Sequence, residues 1–443
     1  MFKLSAGAMR AISLLEGAGY EAYAVGGSIR DAIMGSPVQD FDITTSATPD
    51  EMKLVFKNER TIETGIKHGT ITLVYRGENV EITTYRVDGE YTDNRHPTSV
   101  QFTRALEGDL ERRDFTMNAI AYNPNSNKTV DLFGGKADIS NKIIRAIGNP
   151  KQRFTEDALR ILRAIRFSSA LGFEIEKNTR EAMLECAPLL ANISKERIAT
   201  ELNKFLCGKN VKGAILENYE ILGYILPEIA KMHGFDQRNS WHIYDILEHT
   251  AVAVENVKNE PHVRLMAFLH DIGKVHTFTV DEKGIGHFYG HNKVSSERAR
   301  EFFNEYKYDN FTKERVCAVI AVHDTHIEAD KTYIKKRMNR MGTDAFLELL
   351  ELQRADNLAQ NPEKVDMSHF DTVSNMVNEI LSEGECFSLK HLALNGSDLI
   401  SNGFKAGKAI GEILDFLLSE VIEGRTENDK NTLLEIAKSK YGE

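Results

Sequence analysis

The spacing of apolar and polar residues changes once along the chain, near residue 155. Before that point, short apolar runs predict strands at 22–25, 41–44, 70–75 and 80–85, with helices at 9–19 and 30–34. Beyond it, apolar residues recur at steps of three and four, which predicts helices at 156–171, 177–190 and 194–206. The chain is therefore expected to be an α+β protein in which a small α/β head precedes helical domains.

Length and composition indicate how the chain is divided into domains. A chain of 443 residues holds about two to four domains. We expect the head at 1–150 and a helical neck at 151–230. A histidine-rich segment begins near His233 and supports a third domain at 231–365, and a helical block with several glycines supports a fourth at 366–443.

Composition also narrows the class of protein. The hydrophobic share of 42% and charged share of 27% are those of a soluble globular protein, and no apolar run is long enough to cross a membrane. Because no secretory signal pattern is present, a cytoplasmic protein is expected, and nothing separates a monomer from a homodimer. The four cysteines form no CxxC pair, so neither disulfides nor a zinc knuckle are expected. A net charge of −11 argues against a nucleic-acid partner, but arginines cluster at 86–113 and 160–166 and leave that partner open.

The most specific local pattern is Gly26-Gly27-Ser28-Ile29-Arg30-Asp31, followed by Asp40-Phe41-Asp42. Two glycines let backbone N–H groups approach a bulky anion, because no side chain covers them. Positions i and i+2 of an extended segment share a face, so Asp40 and Asp42 can hold the same metal ions. Glu81, on a separate predicted strand, can supply a third carboxylate. Carboxylates of this kind suit Mg²⁺, and together with a phosphate cradle they indicate a nucleotidyl transfer centre.

Two further segments combine arginines with acidic residues. In Arg112-Arg113-Asp114 the guanidinium groups can bind phosphate while the carboxylate accepts hydrogen bonds from a ribose. In the segment from Glu156 to Arg160, acidic residues lie three and four positions from the arginine on one predicted helix. Such pairs are commonly surface ion pairs. The alternative is that Asp157 and Arg160 match the hydrogen-bonding edge of cytosine and, after a small reorientation, that of adenine.

Taken together, these motifs resemble those of a known family. The chain is similar to the class II tRNA nucleotidyltransferases, the CCA-adding enzymes, most strongly over about the first 210 residues, and the segment 394–411 resembles the tail of bacterial members. The resemblance implies a polymerase β-like head, which bacterial poly(A) polymerases share. It also implies an enzyme that adds C, C and A to the tRNA 3′ end from CTP and ATP with release of pyrophosphate.

The resemblance further implies roles for individual residues. The triphosphate would be bound by Gly26, Gly27 and Arg30, and catalytic Mg²⁺ by Asp40 and Asp42, with Glu81 beside them. The nucleotide would be positioned by Arg113 and Asp114 and selected by Asp157 and Arg160, with support from Arg163 and Arg166. The segment 87–97 matches a flexible loop that full CCA-adding enzymes need in order to switch from C to A, and enzymes that add only CC are thought to lack or shorten it.

A separate pattern consists of His249, His270-Asp271 and Asp356. Imidazoles and carboxylates on neighbouring helices form a mixed site suited to Ni, Mn, Fe, Zn or Mg. The pattern resembles the HD superfamily of metal-dependent phosphohydrolases, which implies a second divalent metal site and a secondary hydrolase activity. Three more histidines can line that site or bind a second metal: His287, His291 and His323.

Two other functions stay open. An A-adding enzyme or a poly(A) polymerase has the same head. An alarmone-type synthetase and hydrolase also combines a nucleotidyltransferase-like centre with an HD domain, although here the head comes first and the 112–116 segment fits the tRNA family. A binding module with inactive centres fits poorly, because Asp40 and Asp42 are intact.

Overall fold

The computed structural model describes residues 2–38, 40–88 and 100–442. Its internal contacts divide the chain into two compact units, Met1–Ala230 and Lys231–Glu443. The four-domain scheme divides these units more finely and stays a prediction. Among the residues described, no helix combines the length and the apolar character needed to cross a membrane.

A seven-stranded sheet forms the centre of the N-terminal unit, in the order β3-β4-β5-β2-β1-β8-β9, while β6 pairs with β7 and β10 with β11. The strands are β1 Ala22–Val25, β2 Asp42–Thr45, β3 Arg60–Ile62, β4 Thr70–Tyr75, β5 Glu78–Thr84, β6 Arg86–Asp88, β7 Val100–Phe102, β8 Ile120–Asn123, β9 Lys128–Asp131, β10 Ile143–Ile144 and β11 Glu174–Ile175. In the large sheet β2 runs antiparallel to β1 and parallel to β5. The predicted mixed head is thereby confirmed.

The hairpin predicted between 70 and 85 is present, and its turn explains its register. Arg76 and Gly77 both have positive φ, 50° and 84°, as the tight turns that match strand twist require. The loop predicted at 87–97 begins inside a strand, because Val87 belongs to β6. The rest of that loop, 89–97, lies outside the described residues.

The helices of the N-terminal unit cover both the head and the following helical segment. They are α1 Ala6–Gly17, α2 Gly27–Ile33, α3 Pro49–Val55, α4 Leu106–Glu111, α5 Gly135–Asn141, α6 Pro150–Glu156, α7 Leu159–Leu171, α8 Lys177–Cys186, α9 Lys195–Leu206, α10 Val211–Glu217, α11 Tyr219–Leu222 and, running past the division, α12 Pro227–Met232. Short 3₁₀ turns occur at Ile66–His68, Thr116–Asn118 and Ala187–Asn192. Helices α7 and α9 pack closely, and the Ser169 hydroxyl donates to the Phe205 carbonyl at 2.7 Å.

The prediction of a single helix over 156–171 is wrong, because the helix is interrupted at Asp157. This residue is extended, with φ −141° and ψ 100°. Its carboxylate accepts from the Leu159 N–H at 3.1 Å, and its carbonyl accepts from the Arg160 N–H at 3.0 Å. A short acidic side chain competes in this way for backbone donors, so it ends one helix and begins the next. Asp157 therefore lies at a corner between α6 and α7.

The C-terminal unit is almost entirely helical. Its helices are α13 Ile246–Asn256, α14 Pro261–Leu269, α15 Lys274–Thr277, α16 His291–Glu305, α17 Asn310–Ile320, α18 Lys331–Met341, α19 Thr343–Leu358, α20 Ser368–Ser382, α21 Gly396–Ser401, α22 Lys408–Ile422 and α23 Lys430–Tyr441. Two short strands, β12 Thr279–Val280 and β13 Gly286–His287, pair antiparallel. Apolar residues that repeat at helical spacing are buried where α13, α14, α17 and α19 pack together, for example Leu265, Val319 and Leu349.

Candidate functional sites

The sheet order places the predicted carboxylates of the head beside the glycine turn. Across the β1–β2 pair, Asp42 is opposite Val25, the residue directly before Gly26. Across the β2–β5 pair, Asp42 is opposite Glu81. Desolvation raises the pKa of Asp42; the Arg113 charge opposes this shift, while the carboxylates of Glu81 and Asp40 add to it. The three acidic residues predicted as metal ligands therefore share one corner of the sheet.

Gly26 allows a close approach at this corner. Its φ of 79° favours glycine, and a Cβ there would lie 3.3 Å from Arg113 Nη1 and 3.6 Å from Asp42 Oδ2. The Arg113 guanidinium thus lies next to the carboxylate of Asp42. This is where an anionic ligand that also contacts a metal would bind.

A buried carboxylate that sequence reasoning missed holds Arg113 in this place. Asp109 is fully buried on α4 and accepts from Arg112 Nη2 at 2.8 Å, from Arg113 Nη2 at 3.4 Å and from the Thr44 hydroxyl at 3.0 Å. Thr44 is two positions after Asp42 on β2, so both side chains are on one face of the strand. The available signal was the helical i,i+4 spacing of Asp109 and Arg113.

Three guanidinium groups surround one aromatic ring next to the glycine turn. The Phe167 ring centroid lies 5.0 Å from Arg30 Cζ, 5.6 Å from Arg163 Cζ and 4.1 Å from Arg166 Cζ. Arg30 also donates to Asn118 Oδ1 at 2.9 Å. Cations are attracted to the face of an aromatic ring, so Phe167 offsets part of the repulsion between these three guanidinium groups. Neither Asn118 nor Phe167 was among the predicted site residues.

Asp114 pairs with Arg163 rather than with its neighbour Arg113. The closest contact, from Arg163 Nη2 to Asp114 Oδ2, is 2.6 Å. Burial acts to raise the pKa of Asp114, but the Arg163 charge and hydrogen bonds, including one from Asn118, lower it to about 2. Arg166 forms an ion pair with Glu201 at 2.8 Å, and burial lowers its pKa. Arg113 and Asp114, both predicted to position the nucleotide, therefore have different partners in this structure, Asp109 and Arg163.

The side chains of Asp157 and Arg160 also pair with other residues, and the two residues are joined only through the backbone. The buried Arg160 donates to Glu156 Oε2 and to the Arg112 carbonyl, both at 2.8 Å. The Asp157 carboxylate lies 2.9 Å from Arg197 Nη2. Arg160 therefore links α7 to the Arg112–Asp114 segment, while Arg197, which belongs to α9, fixes the carboxylate at the helix break.

In the C-terminal unit the structure brings the predicted metal-binding residues together. His249 Nε2 lies 2.7 Å from Asp356 Oδ1 and 3.3 Å from Asp271 Oδ2, and His270 Nε2 lies 3.3 Å from each of the same two oxygens. These four ligand atoms lie within 4.8 Å of one another. Nitrogen and oxygen donors in this arrangement fit a first-row divalent metal.

The charges around this cluster favour a cation as well. Burial acts to lower the pKa of His270, but the Asp271 and Asp356 carboxylates raise it to about 10. Burial acts to raise the pKa of Asp271, but His270 and Lys274 hold it well below its ordinary value. The buried Asp271 and the partly buried Asp356 are thus stabilised by neighbouring positive charge, which a metal ion can supply in place of protons. A cavity of about 700 Å³ opens beside them and is also lined by Trp241, among others.

Comparison with known proteins connects both units to one family. Three family models match: the Poly A polymerase head domain over 22–145, "Probable RNA and SrmB- binding site of polymerase A" over 172–232, and tRNA nucleotidyltransferase domain 2 over 276–437. A CCA-adding enzyme of Streptococcus pyogenes serotype M2 (strain MGAS10270) is 34% identical over 429 residues, which are 96% of this chain and 94% of the relative. The chain belongs to the CCA-adding enzyme family.

Other members give the same result. A CCA-adding enzyme of Streptococcus gordonii is 32% identical over 98% of this chain and 97% of its own length. The crystal structure of the Bacillus stearothermophilus CCA-adding enzyme in complex with CTP superposes with a TM-score of 0.75 at 30% identity, covering 98% of this chain and 96% of that one. The resemblance to the CCA-adding enzymes is confirmed, and the chain is a nucleotidyltransferase. The alarmone-type alternative is not favoured.

We predict that Asp109→Asn lowers kcat/KM for nucleotide incorporation by about 10- to 100-fold, because a charged hydrogen bond to an arginine contributes roughly 1.5–3 kcal/mol. The substitution keeps the size of the side chain but weakens its hold on Arg113. Single-nucleotide incorporation at limiting nucleotide measures the effect. Glu111→Gln, an exposed change on the same helix, is the control and should leave kcat/KM unchanged.

A double-mutant cycle separates positioning from a general loss of packing. If Asp109 acts through Arg113, the effects of Asp109→Asn and Arg113→Gln will be strongly non-additive. Additive losses, or a folded Asp109→Asn protein with unchanged kcat/KM, would contradict this role.

Proposed function

We propose that this protein adds C, C and A to the 3′ end of tRNA, using CTP and ATP and releasing pyrophosphate, in the cytoplasm. The observation that carries the proposal is the position of Asp42, between the glycine turn and Glu81 with Arg113 alongside, in a chain of the CCA-adding enzyme family. The Bacillus stearothermophilus CCA-adding enzyme, whose structure is similar to this one, was solved with CTP.

In the proposed reaction the tRNA 3′ hydroxyl attacks the α-phosphate of the bound nucleotide, and pyrophosphate leaves. Mg²⁺ held by Asp40 and Asp42, with Glu81 beside them, would stabilise negative charge on the attacking and leaving oxygens. Arg113 lies beside Gly26 and Arg30 lies beside Gly27, and both would neutralise the triphosphate. The turn itself leaves room for that group, because a side chain at Gly26 would meet Arg113.

Base selection is proposed to depend on the corner between α6 and α7. The break at Asp157 turns its carboxylate away from the regular helix surface, and the anchored Arg160 keeps this corner against the Arg112–Asp114 segment. A carboxylate can accept from the amino group of cytosine or, after a small reorientation, from that of adenine, so the orientation of this residue would decide between the two nucleotides. Arg197 would hold the carboxylate in place while the base is exchanged.

The tRNA itself is proposed to be bound by shape and backbone charge. Duplex RNA is recognised mainly through its phosphates and hydroxyls, so the helical segments beyond residue 150 would contact the acceptor arm. The arginines around Phe167 supply positive charge near the nucleotide despite a net charge of −11.

We predict that the purified protein extends tRNA lacking CCA by two residues with CTP alone and by three with CTP and ATP. Asp42→Asn should abolish addition while tRNA binding is retained, because the variant loses a metal-binding charge but no RNA contact. Gel analysis of labelled tRNA and a filter-binding assay measure the two properties, and Asp50→Asn, an exposed change in the same unit, is the control. Incorporation of ATP only, or long A tracts, would replace this proposal with the A-adding or poly(A) polymerase alternative.

We also predict that Asp157→Ala reduces discrimination between CTP and ATP by about tenfold or more, since a hydrogen bond to a base edge contributes roughly 1–3 kcal/mol. Competition between the two nucleotides at each step measures the ratio of their kcat/KM values. The affinity for tRNA should change little. Glu181→Ala, an exposed change on α8, is the control; a variant that loses rate equally for both nucleotides would argue for a purely structural role.

The convergence of His249, His270, Asp271 and Asp356 favours a second function in the C-terminal unit. We propose that this centre binds a divalent metal and hydrolyses phosphoesters. A bound metal would activate water and neutralise the phosphate. Lys274 and the adjoining cavity provide further positive charge and space for a substrate.

The two functions can be separated by reciprocal variants. We predict that His270→Gln abolishes metal-dependent hydrolysis of bis(p-nitrophenyl) phosphate and of 2′,3′-cyclic nucleotides but leaves CCA addition intact. Asp42→Asn should do the opposite, since each residue belongs to a different compact unit. Absence of hydrolysis with Mn²⁺, Ni²⁺, Fe²⁺ and Mg²⁺ in the wild-type protein would remove the hydrolase proposal but not the transferase.

A further inference from the structure

The ring of Phe167 lies among three arginines, Arg30, Arg163 and Arg166, which form the arginine cluster. Their Cζ atoms lie between 4.1 and 5.6 Å from the ring centroid, within the range of cation–π attraction. Two of these arginines share α7 with Phe167, and Arg30 belongs to α2. The ring itself is almost fully buried, at 5% exposure. One aromatic side chain therefore connects guanidinium groups from two helices.

Each arginine of the cluster also has an acidic partner. The N···O distances are 2.7 Å from Arg30 to Asp31, 2.6 Å from Arg163 to Asp114 and 2.8 Å from Arg166 to Glu201. A guanidinium has five N–H donors, so one carboxylate leaves others available to a further acceptor. The carboxylate fixes one edge of each guanidinium while the ring restrains its position, so together they set the direction of the remaining donors.

The arginine cluster borders the glycine turn that is proposed to receive the triphosphate. A Cβ atom at Gly27 would lie 3.5 Å from Arg30 Nη2. Arg30 Nη1 donates to Asn118 Oδ1 at 2.9 Å, and Asn118 Nδ2 donates to Asp114 Oδ1 at 3.0 Å. The carboxylate of Asp114 in turn accepts from Arg163. Arg30 and Arg163 are therefore joined twice, once through these hydrogen bonds and once through the aromatic ring.

Three like charges around one buried position repel one another. Burial is the main cause of the lowered pKa of Arg166, and the charges of Arg163 and Arg30 add to that shift. Glu201 opposes it. An aliphatic side chain would fill the same space without offsetting the repulsion. The face of an aromatic ring carries negative partial charge, so Phe167 supplies apolar packing and attracts the three cations as well.

We infer that Phe167 is a positioning residue for the phosphates of the nucleotide, because its ring holds the arginine cluster with free N–H donors directed at them. The inference rests on the proposed transfer reaction and adds a residue that acts through the arginines. The same donors would bind the pyrophosphate product. Because cation–π attraction is electrostatic, this role depends on the electron density of the ring and not only on its volume.

Fluorinated phenylalanines in place of Phe167 test this inference, because fluorine withdraws electron density from the ring while its shape changes little. We expect trifluorophenylalanine to raise KM for CTP and the Kd of pyrophosphate by about threefold or more, with kcat nearly unchanged. Monofluorophenylalanine should give intermediate values. Steady-state addition to tRNA lacking CCA measures KM and kcat. Calorimetric titration of the full-length protein with CTP and with pyrophosphate, in Mg²⁺ and without tRNA, measures binding alone.

Phe56 provides a matched control. It is also buried in the N-terminal unit, and none of the cation–ring contacts among the described residues involves it. Trifluorophenylalanine at this position should leave KM for CTP and the Kd of pyrophosphate unchanged. A second variant, Phe167→Leu, removes the ring but keeps an apolar side chain, and we expect it to lower kcat/KM by about tenfold.

The outcomes separate this role from packing and from the proposed reaction. Unchanged affinities for CTP and pyrophosphate across the fluorinated series would overturn the inference, even if Phe167→Leu is inactive, because a purely apolar role tolerates fluorine. Affinities that weaken with each added fluorine would support it. If they do so in a protein that adds no nucleotide to tRNA, the transferase proposal fails and the role of Phe167 in phosphate binding stands.

Discussion

Charges removed from water must be compensated, and this requirement shapes both units of the protein. In the head, buried carboxylates fix arginines whose remaining positive charge faces the glycine turn; Asp109 with Arg113 is the clearest case. In the C-terminal unit the balance is reversed, because histidine nitrogens and the oxygens of the buried Asp271 converge. One site is thus prepared for an anion and the other for cations.

Within the N-terminal unit, the contacts that compensate buried charges also connect distant parts of the sequence. Arg160 reaches the carbonyl of Arg112, 48 residues earlier, and Arg163 reaches Asp114, 49 residues earlier. These contacts tie one face of α7 to the segment that carries Arg113. The residues proposed to select the base and those proposed to bind phosphate are therefore parts of one hydrogen-bonded framework, so displacement of α7 would disturb both.

Sequence reasoning predicted the fold class and the strand Ala22–Val25, because these follow from periodicity, and it offered Glu81 as a third carboxylate near Asp42 on chemical grounds. It missed the break at Asp157, where hydrogen bonds of one side chain outweigh helix propensity. It also missed Asp109 and the Asp114–Arg163 pair. A sequence shows that acids and arginines are present, but which of them pair depends on how α4 and α7 pack in three dimensions.

Net charge was a poor guide to the proposed RNA and nucleotide partners for the same reason. Many acidic residues near the proposed nucleotide site are already engaged internally; Glu201 binds Arg166, and Asp157 binds Arg197. Such residues lower the total charge without repelling a ligand, because their field is cancelled within a few ångströms by the paired cation. At physiological ionic strength charges beyond about 8 Å are screened, so an approaching phosphate responds to the local arginines around Phe167 and not to the overall value of −11. An acidic protein can therefore bind RNA where its acidic residues serve to position its arginines.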